Sequence, residues 1–253
     1  MSCKRSILPE GCRNRKRICT SRKQDDDVSH TKWDANEHFE TATLPSDTKA
    51  ALLYLKNLFP LEKFEGRLPP IMTKHQLYSI IHNRTLVDKE LEDLRICGEV
   101  RLFKLGSKAD EFFIVFTQDY TSHVQKFIAG MSVNKVVIDK FLSTVISRCQ
   151  DVSLNKQTML YDFHFKDEDI TQLVKACVLT VRDVGSWWVS IPAAGLYMKS
   201  FTRGRKAILT MIKKCKYKEI LQSELEVRKL PKVARLGMTY HIHDIIGAEL
   251  VEW

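Results

Sequence analysis

The stretch KSFTRGRKAILTMIKKCKYK, residues 199–218, holds eight cations and no acid. They are Lys199, Arg203, Arg205, Lys206, Lys213, Lys214, Lys216 and Lys218. Clustered ammonium and guanidinium groups do one kind of chemistry well: they neutralise phosphates and release the counterions condensed on a polyanion. Wound as a helix at about 100° per residue, Lys199, Arg203, Lys206, Lys213 and Lys214 fall within roughly 60° of one line. Phe201, Ile208, Met211, Ile212 and Cys215 fall opposite, beside Gly204, whose missing side chain permits close packing. Solvated helices interleave acids with lysines, because opposite charges four residues apart stabilise and like charges repel by about 0.2–0.5 kcal/mol per pair. This segment gives that up, and an anionic partner is the simplest compensation.

Duplex DNA is the anion that suits it. Lysine outnumbers arginine six to two in this stretch, and neither Asn nor Gln falls in the stripe. Bidentate reading of base edges is poorly provided for, so phosphate contact without sequence preference is expected. RNA fits less well: Phe112, Phe113, Trp187 and Trp188 alternate along strands as core residues do, and no RNP-like pattern appears. An acidic protein is the alternative partner. Arg84, Arg182, Arg228, Lys229 and Arg235 are further cations that would lengthen the track, with Arg228 and Lys229 the two assigned to it.

Other chemistry is thin. His241 and His243 form a pair of metal-ligand type, but neither a cysteine nor a third histidine stands nearby at ligand spacing. No nucleophile elbow or Cys/His arrangement stands out. Neither a cofactor nor a metal is expected, and both histidines read as core or surface residues.

The elements that must carry the basic helix are legible in outline. The chain has 253 residues, 44% hydrophobic and 28% charged, with a formal net charge of +9. That charge is uneven, for residues 1–23 hold eight bases against one acid, whereas 24–198 hold 20 bases against 24 acids. Residues 1–45 lack periodicity and are expected to be a disordered basic tail. Within it Lys4, Arg5, Arg13, Arg15, Lys16 and Arg17 have the composition of a nuclear-import signal. No apolar run approaches the ~18 residues that span a bilayer, and seven cysteines without a CxxC pair suit reduced thiols. A nuclear protein with no membrane partner is expected.

From residue 46 the chain is patterned. "SDTKAALLYLKNLF" places Ala51, Leu52, Leu55 and Leu58 on one helical face, with Ser46 or Asp47 as N-cap and Pro60 as stop. "TKHQLYSII" and "TLVDKELEDLRICG" predict two more helices, the second ending at Gly98. "EVRLFKLG" and "EFFIVFTQDY" then alternate as strands. Three helices followed by a hairpin is the layout of a winged helix. The pattern recurs: Asp88, Leu91, Leu94, Val100 and Leu102 align at one constant offset with Asp167, Ile170, Leu173, Leu179 and Val181. Ala51, Leu52 and Leu55 likewise meet Val137, Ile138 and Phe141. A period near 80 residues suits a duplicated small domain. After Gly195 come a long basic helix, a helix in "YKEILQSELEVRK" and a third in "TYHIHDIIGAELVEW". The fold class is therefore α+β, mostly helical, with three tandem winged-helix units at 46–120, 121–194 and 195–253 behind the tail. The third unit reaches Trp253 before any wing pattern appears.

The segments "LPPIMTKHQLYSII", "RTLVDKELEDL", "LTVRDVGSWWVSIPAAG", "GRKAILTMIKKCKYKEIL" and "RLGMTYHIHDIIGAELV" resemble the serine/threonine-protein kinase 19 family from about residue 50 onward. Its members bear a kinase's name and are understood as tandem winged-helix repair factors. The resemblance implies a nuclear, non-enzymatic scaffold that binds double-stranded DNA in transcription-coupled nucleotide excision repair. It also implies contact with RNA polymerase II and its repair factors, with homodimer formation left open. Matching basic residues for DNA contact are Lys199, Lys213, Lys214, Lys216, Arg228 and Lys229.

The kinase name fails on the residues. Phosphoryl transfer needs a Gly-rich loop, a strand lysine and two placed aspartates. No G-x-G-x-x-G and no V-A-I-K occur. Asp162-Phe163-His164 imitates D-F-G without its glycine. Val181-Arg182-Asp183 imitates H-R-D but follows the D-F-H where it should precede it.

Overall fold

The computed structural model describes residues 46–106 and 111–252. The import-type residues Lys4, Arg5, Arg13, Arg15, Lys16 and Arg17, and the whole expected tail, lie outside them.

Local chemistry places the first elements. Helix α1 (Asp47–Leu58) starts where the Ser46 hydroxyl accepts from the Lys49 N–H, and it buries Ala51, Leu52 and Leu55. A 3₁₀ turn (Leu61–Phe64) follows Pro60. Strand β1 (Met72–Thr73) runs straight into α2 (Lys74–Ile80), opened by a capping box in which Thr73 and Gln76 satisfy each other's backbone N–H. Helix α3 (Arg84–Ile96) is capped by Asn83. Strands β2 (Val100–Phe103) and β3 (Phe113–Phe116) complete an antiparallel sheet of order β1-β3-β2. Helix α4 (Thr117–Ile128) begins directly after β3, so "TQDY" is helical and the boundary expected at residue 120 falls inside an element.

The order then repeats. Helix α5 (Lys135–Phe141) runs on into a π turn (Leu142–Ile146). Strand β4 (Ser153–Asn155), a second π turn (Thr158–Asp162) and α6 (Asp167–Lys175) follow. Strands β5 (Leu179–Asp183) and β6 (Ser186–Val189) give a sheet of order β4-β6-β5. The duplication reaches the backbone. In α3 the Glu99 N–H bonds Leu94 O (3.0 Å) and Gly98 N–H bonds Arg95 O (3.0 Å). In α6 the Val178 N–H bonds Leu173 O (3.2 Å) and Cys177 N–H bonds Val174 O (3.0 Å). Both helices therefore end in a Schellman motif, with Gly98 at φ +76° and Cys177 at φ +58° in the left-handed turn. Equivalence is looser at the wing, where Val181, matched to half-buried Leu102, is 68% exposed.

Among its described residues the last part has helices and no strand: α7 (Ala194–Lys213), a 3₁₀ turn (Lys216–Lys218), α8 (Gln222–Val227) and α9 (Met238–Gly247). It does not stand apart. Helix α9 lies against α2 so closely that a Cβ on Gly247 would come 1.7 Å from the His75 carbonyl oxygen. Gln76 Nε2 donates to Tyr240 O (2.8 Å), Tyr240 Oη donates to Ile71 O (2.7 Å), and Thr73 Oγ1 donates to Asp244 Oδ1 (3.3 Å). The largest apolar cluster accordingly mixes Phe59 and Phe113, Phe141 and Leu173, and Tyr197 and Tyr240 from all three parts. Arg101, 2% exposed, ties β2 to the π turn 142–146 and the residues after it by donating from Nη1 to Ile146 O and Cys149 O, both at 2.8 Å.

Candidate nucleic-acid interface

Helix α7 is docked by one apolar line. Tyr197, Phe201, Gly204 and Ile208, spaced four, three and four residues apart, are buried. The Phe201 ring stacks on Tyr197 (5.4 Å) and meets Phe113 edge-on (5.8 Å). At Gly204 the His241 ring takes the space of the missing side chain, for a Cβ there would lie 2.0 Å from Nε2. The opposite face carries Lys199, Arg203, Lys206, Lys213 and Lys214, all exposed. From 199 to 213 they span roughly 21 Å at 1.5 Å per residue.

The helix is shorter than the basic stretch. It ends at Lys213, Cys215 is extended, and a left-handed Tyr217 turns the chain. Lys216 and Lys218 therefore leave the wheel, though both remain exposed beyond the helix end. Cations here also face the negative end of the helix dipole.

Arg205 departs from the expected set. Its side chain is 11% exposed, and its Nε and Nη2 grip the two Asp244 oxygens at 2.7 and 2.8 Å. Nη1 pairs with Glu111, and the guanidinium lies 4.4 Å over the Phe201 ring. Burial alone would lower its pKa, but the Asp244 and Glu111 carboxylates outweigh that and hold it above the ordinary arginine range. Its single positive charge is spent inside the protein, where the ion pairs clamp α7 to α9 and to Glu111, two residues before β3. The wheel had already set Arg205 about 120° from the stripe, which is the signal that separates it from its neighbours.

A second line of cations flanks α7. Arg228 Nη1 sits 3.6 Å from Cys215 Sγ, and the Arg235 N–H donates to Ser200 Oγ (2.7 Å). Ser200 lies roughly 20 Å from the end of α7 and Cys215 just beyond that end, so residues 228–235 run back along it. The segment borders a cavity of about 530 Å³ whose rim holds Lys63, Arg228, Lys229, Lys232 and Arg235 and no acid. Arg228 is half-buried and partly neutralised by Glu224 (2.7 Å). Lys229 is exposed, and among the described residues neither it nor Lys63, Lys232 or Arg235 forms an ion pair. Lys232 was legible as one more base in "RKLPKVAR". Lys63 was not, since only folding brings it to Arg235, whose Nη1 donates to its carbonyl (3.0 Å).

The remaining sequence candidates are engaged elsewhere. Arg84 pairs with Glu249 and lies over Tyr78. Arg182 lies 4.5 Å over Trp188, with Lys104 Nζ also 5.2 Å from that ring. Trp188 is thus a half-buried cation-flanked ring on the outer face of its sheet, while Phe113 is core as expected. His241 and His243 do not converge: His241 is buried against Gly204, and His243 Nδ1 lies 2.9 Å from Ser79 Oγ. Among the described residues no three His, Cys, Asp or Glu side chains cluster at metal-binding distance. Asp162 closes a π turn, and Asp183 ends β5 at a two-residue hairpin loop. No helix among the described residues is long and apolar enough to cross a membrane.

Residues 44–253 match the family described as inactive serine-threonine protein kinase 19. The chain is 46% identical over 208 residues to winged helix repair factor 1 of Homo sapiens, an alignment covering 82% of each chain. It is 43% identical over 218 residues to the protein of that name from Xenopus laevis, covering 84% of each. A more distant relative of the same name, from Dictyostelium discoideum, is 24% identical over 226 residues, or 74% of this chain and 56% of that one.

Proposed function

The chain belongs to the inactive serine-threonine protein kinase 19 family, and on that premise we propose that it is a non-enzymatic scaffold that binds double-stranded DNA through phosphates, without sequence preference. The observation that carries this reading is the face of α7, where five exposed cations follow one line with no acid among them. The basic segment 228–235 and Lys63 widen the same field. We further propose that it acts in the nucleus, in transcription-coupled nucleotide excision repair at stalled RNA polymerase II. The names of its relatives support a repair role, and three tandem winged helices are the architecture we assign, the third formed around α7, α8 and α9.

Fluorescence anisotropy with unrelated duplexes at several salt concentrations tests the DNA reading. Five phosphate contacts give a log–log salt slope of about −4.5, or roughly a 500-fold loss of affinity between about 50 and 200 mM salt. Replacing Lys199, Lys213 and Lys214 by Glu should flatten the slope by about 2.7, with the buried Arg205 clamp untouched. A wild-type protein that binds no duplex at low salt removes the reading, and the stripe then serves an acidic protein partner. The repair assignment has its own test: cells lacking the protein should fail to restart transcription after ultraviolet damage.

A further inference from the structure

The charged field on α7 ends in an aromatic residue that nothing in the fold explains. After Lys213 the chain turns through Cys215 to Lys218, and Tyr217 and Lys218 adopt left-handed backbone conformations in succession, at φ +63° and +60°. Residues with a Cβ adopt that region rarely. The turn does not bury the ring: Tyr217 is 77% exposed, and its ring contact is the Lys216 ammonium, 5.0 Å from the centroid. Burial would favour turning such a ring inward. Instead it stands in solvent among Lys213, Lys214, Lys216 and Lys218, all exposed.

We propose that Tyr217 is a stacking platform for an unpaired base, so that the DNA this face takes best is a duplex bordering a short single-stranded segment. The proposal rests on the DNA reading above and names the form of the DNA. Binding of a single strand combines cations that track the backbone with an aromatic face on which a base stacks, and the second needs no particular sequence because every base has a π-face. Helix α7 supplies the track, and its exit supplies the ring. A fully paired duplex offers base faces only at its ends, so the ring gains its contact where pairing is interrupted.

The full-length chain is titrated into two labelled DNAs, both closed at each end by a non-nucleotide linker so that neither end offers an unpaired base. One is fully paired and the other carries a short central run of unpaired adenines that includes 2-aminopurine. The wild type should bind the interrupted DNA roughly 5- to 150-fold tighter, the equivalent of one stacked base, and should quench the 2-aminopurine. Tyr217→Ala should bind both DNAs alike, with wild-type affinity and salt slope on the paired one, while Tyr217→Trp keeps the preference. Equal wild-type binding to the two DNAs overturns the proposal and leaves the DNA reading standing, as does a preference that survives Tyr217→Ala. If the wild type binds neither DNA, the DNA reading fails and the platform falls with it.

Discussion

His241 makes the stability of this protein depend on pH in a calculable way. Its side chain is fully buried, and neither ring nitrogen has a hydrogen-bond partner. Burial, reinforced by the nearby Arg205 guanidinium, pushes its pKa down from 6.5 to about 4. In the unfolded chain the imidazole regains its ordinary pKa, so as pH falls the unfolded state takes up the proton first. Stability from this group is full above pH 6.5, declines below it, and stops declining below about 4. At about 1.4 kcal/mol per pKa unit, the loss is about 2 kcal/mol by pH 5 and about 3 kcal/mol by pH 4. Other titrating groups shift the absolute curve, among them His75, His123 and His243, whose pKa values burial also lowers. A difference between two proteins isolates His241. Urea unfolding from pH 7.5 to pH 4 would be followed for wild type and for His241→Phe, which fills the space beside Gly204 with a ring that cannot titrate. The gap between the two stabilities should move by about 3 kcal/mol in favour of the variant as pH drops. Parallel curves across that range would refute the burial argument.

Two glycine positions make further predictions. Gly247→Ala places a Cβ against His75 backbone atoms at 1.7 and 2.5 Å, where no side chain can yield, so α9 must lift from α2. A loss of about 3 kcal/mol, the upper end for overpacking, is expected in urea unfolding, and a loss under about 0.5 kcal/mol would contradict the close packing. The two Schellman turns predict changes of opposite sign. Cys177→Gly should stabilise by about 0.5–1 kcal/mol, whereas Gly98→Ala should destabilise by about 1 kcal/mol, both read from thermal or urea midpoints.

The sequence by itself determined the elements whose signal is local. Ser46 and Pro60 bound α1 because capping and the missing proline N–H act within one turn. The 3.6-residue spacing of Tyr197, Phe201 and Ile208 sets the buried line of α7 whatever it packs against. The matched spacings around Leu91 and Ile170 disclosed the duplication, down to the Gly98 turn. Strands β1 and β4 escaped because two or three residues are too few to show alternation. Residues 199–218 were wound as one helix because lysines favour a helix, and only the extended backbone of Cys215 and the left-handed Tyr217 take the last of them off it.

What tertiary structure alone decided is which charges remain available. Arg205, Arg203 and Lys206 are near neighbours in sequence, yet Arg205 is neutralised because folding brings Asp244 and Glu111 to it from 39 and 94 residues away. Lys63 enters the basic rim for the same reason in reverse. Ion pairs and helix docking join distant parts of the chain through space, and no local pattern encodes which distant group will arrive.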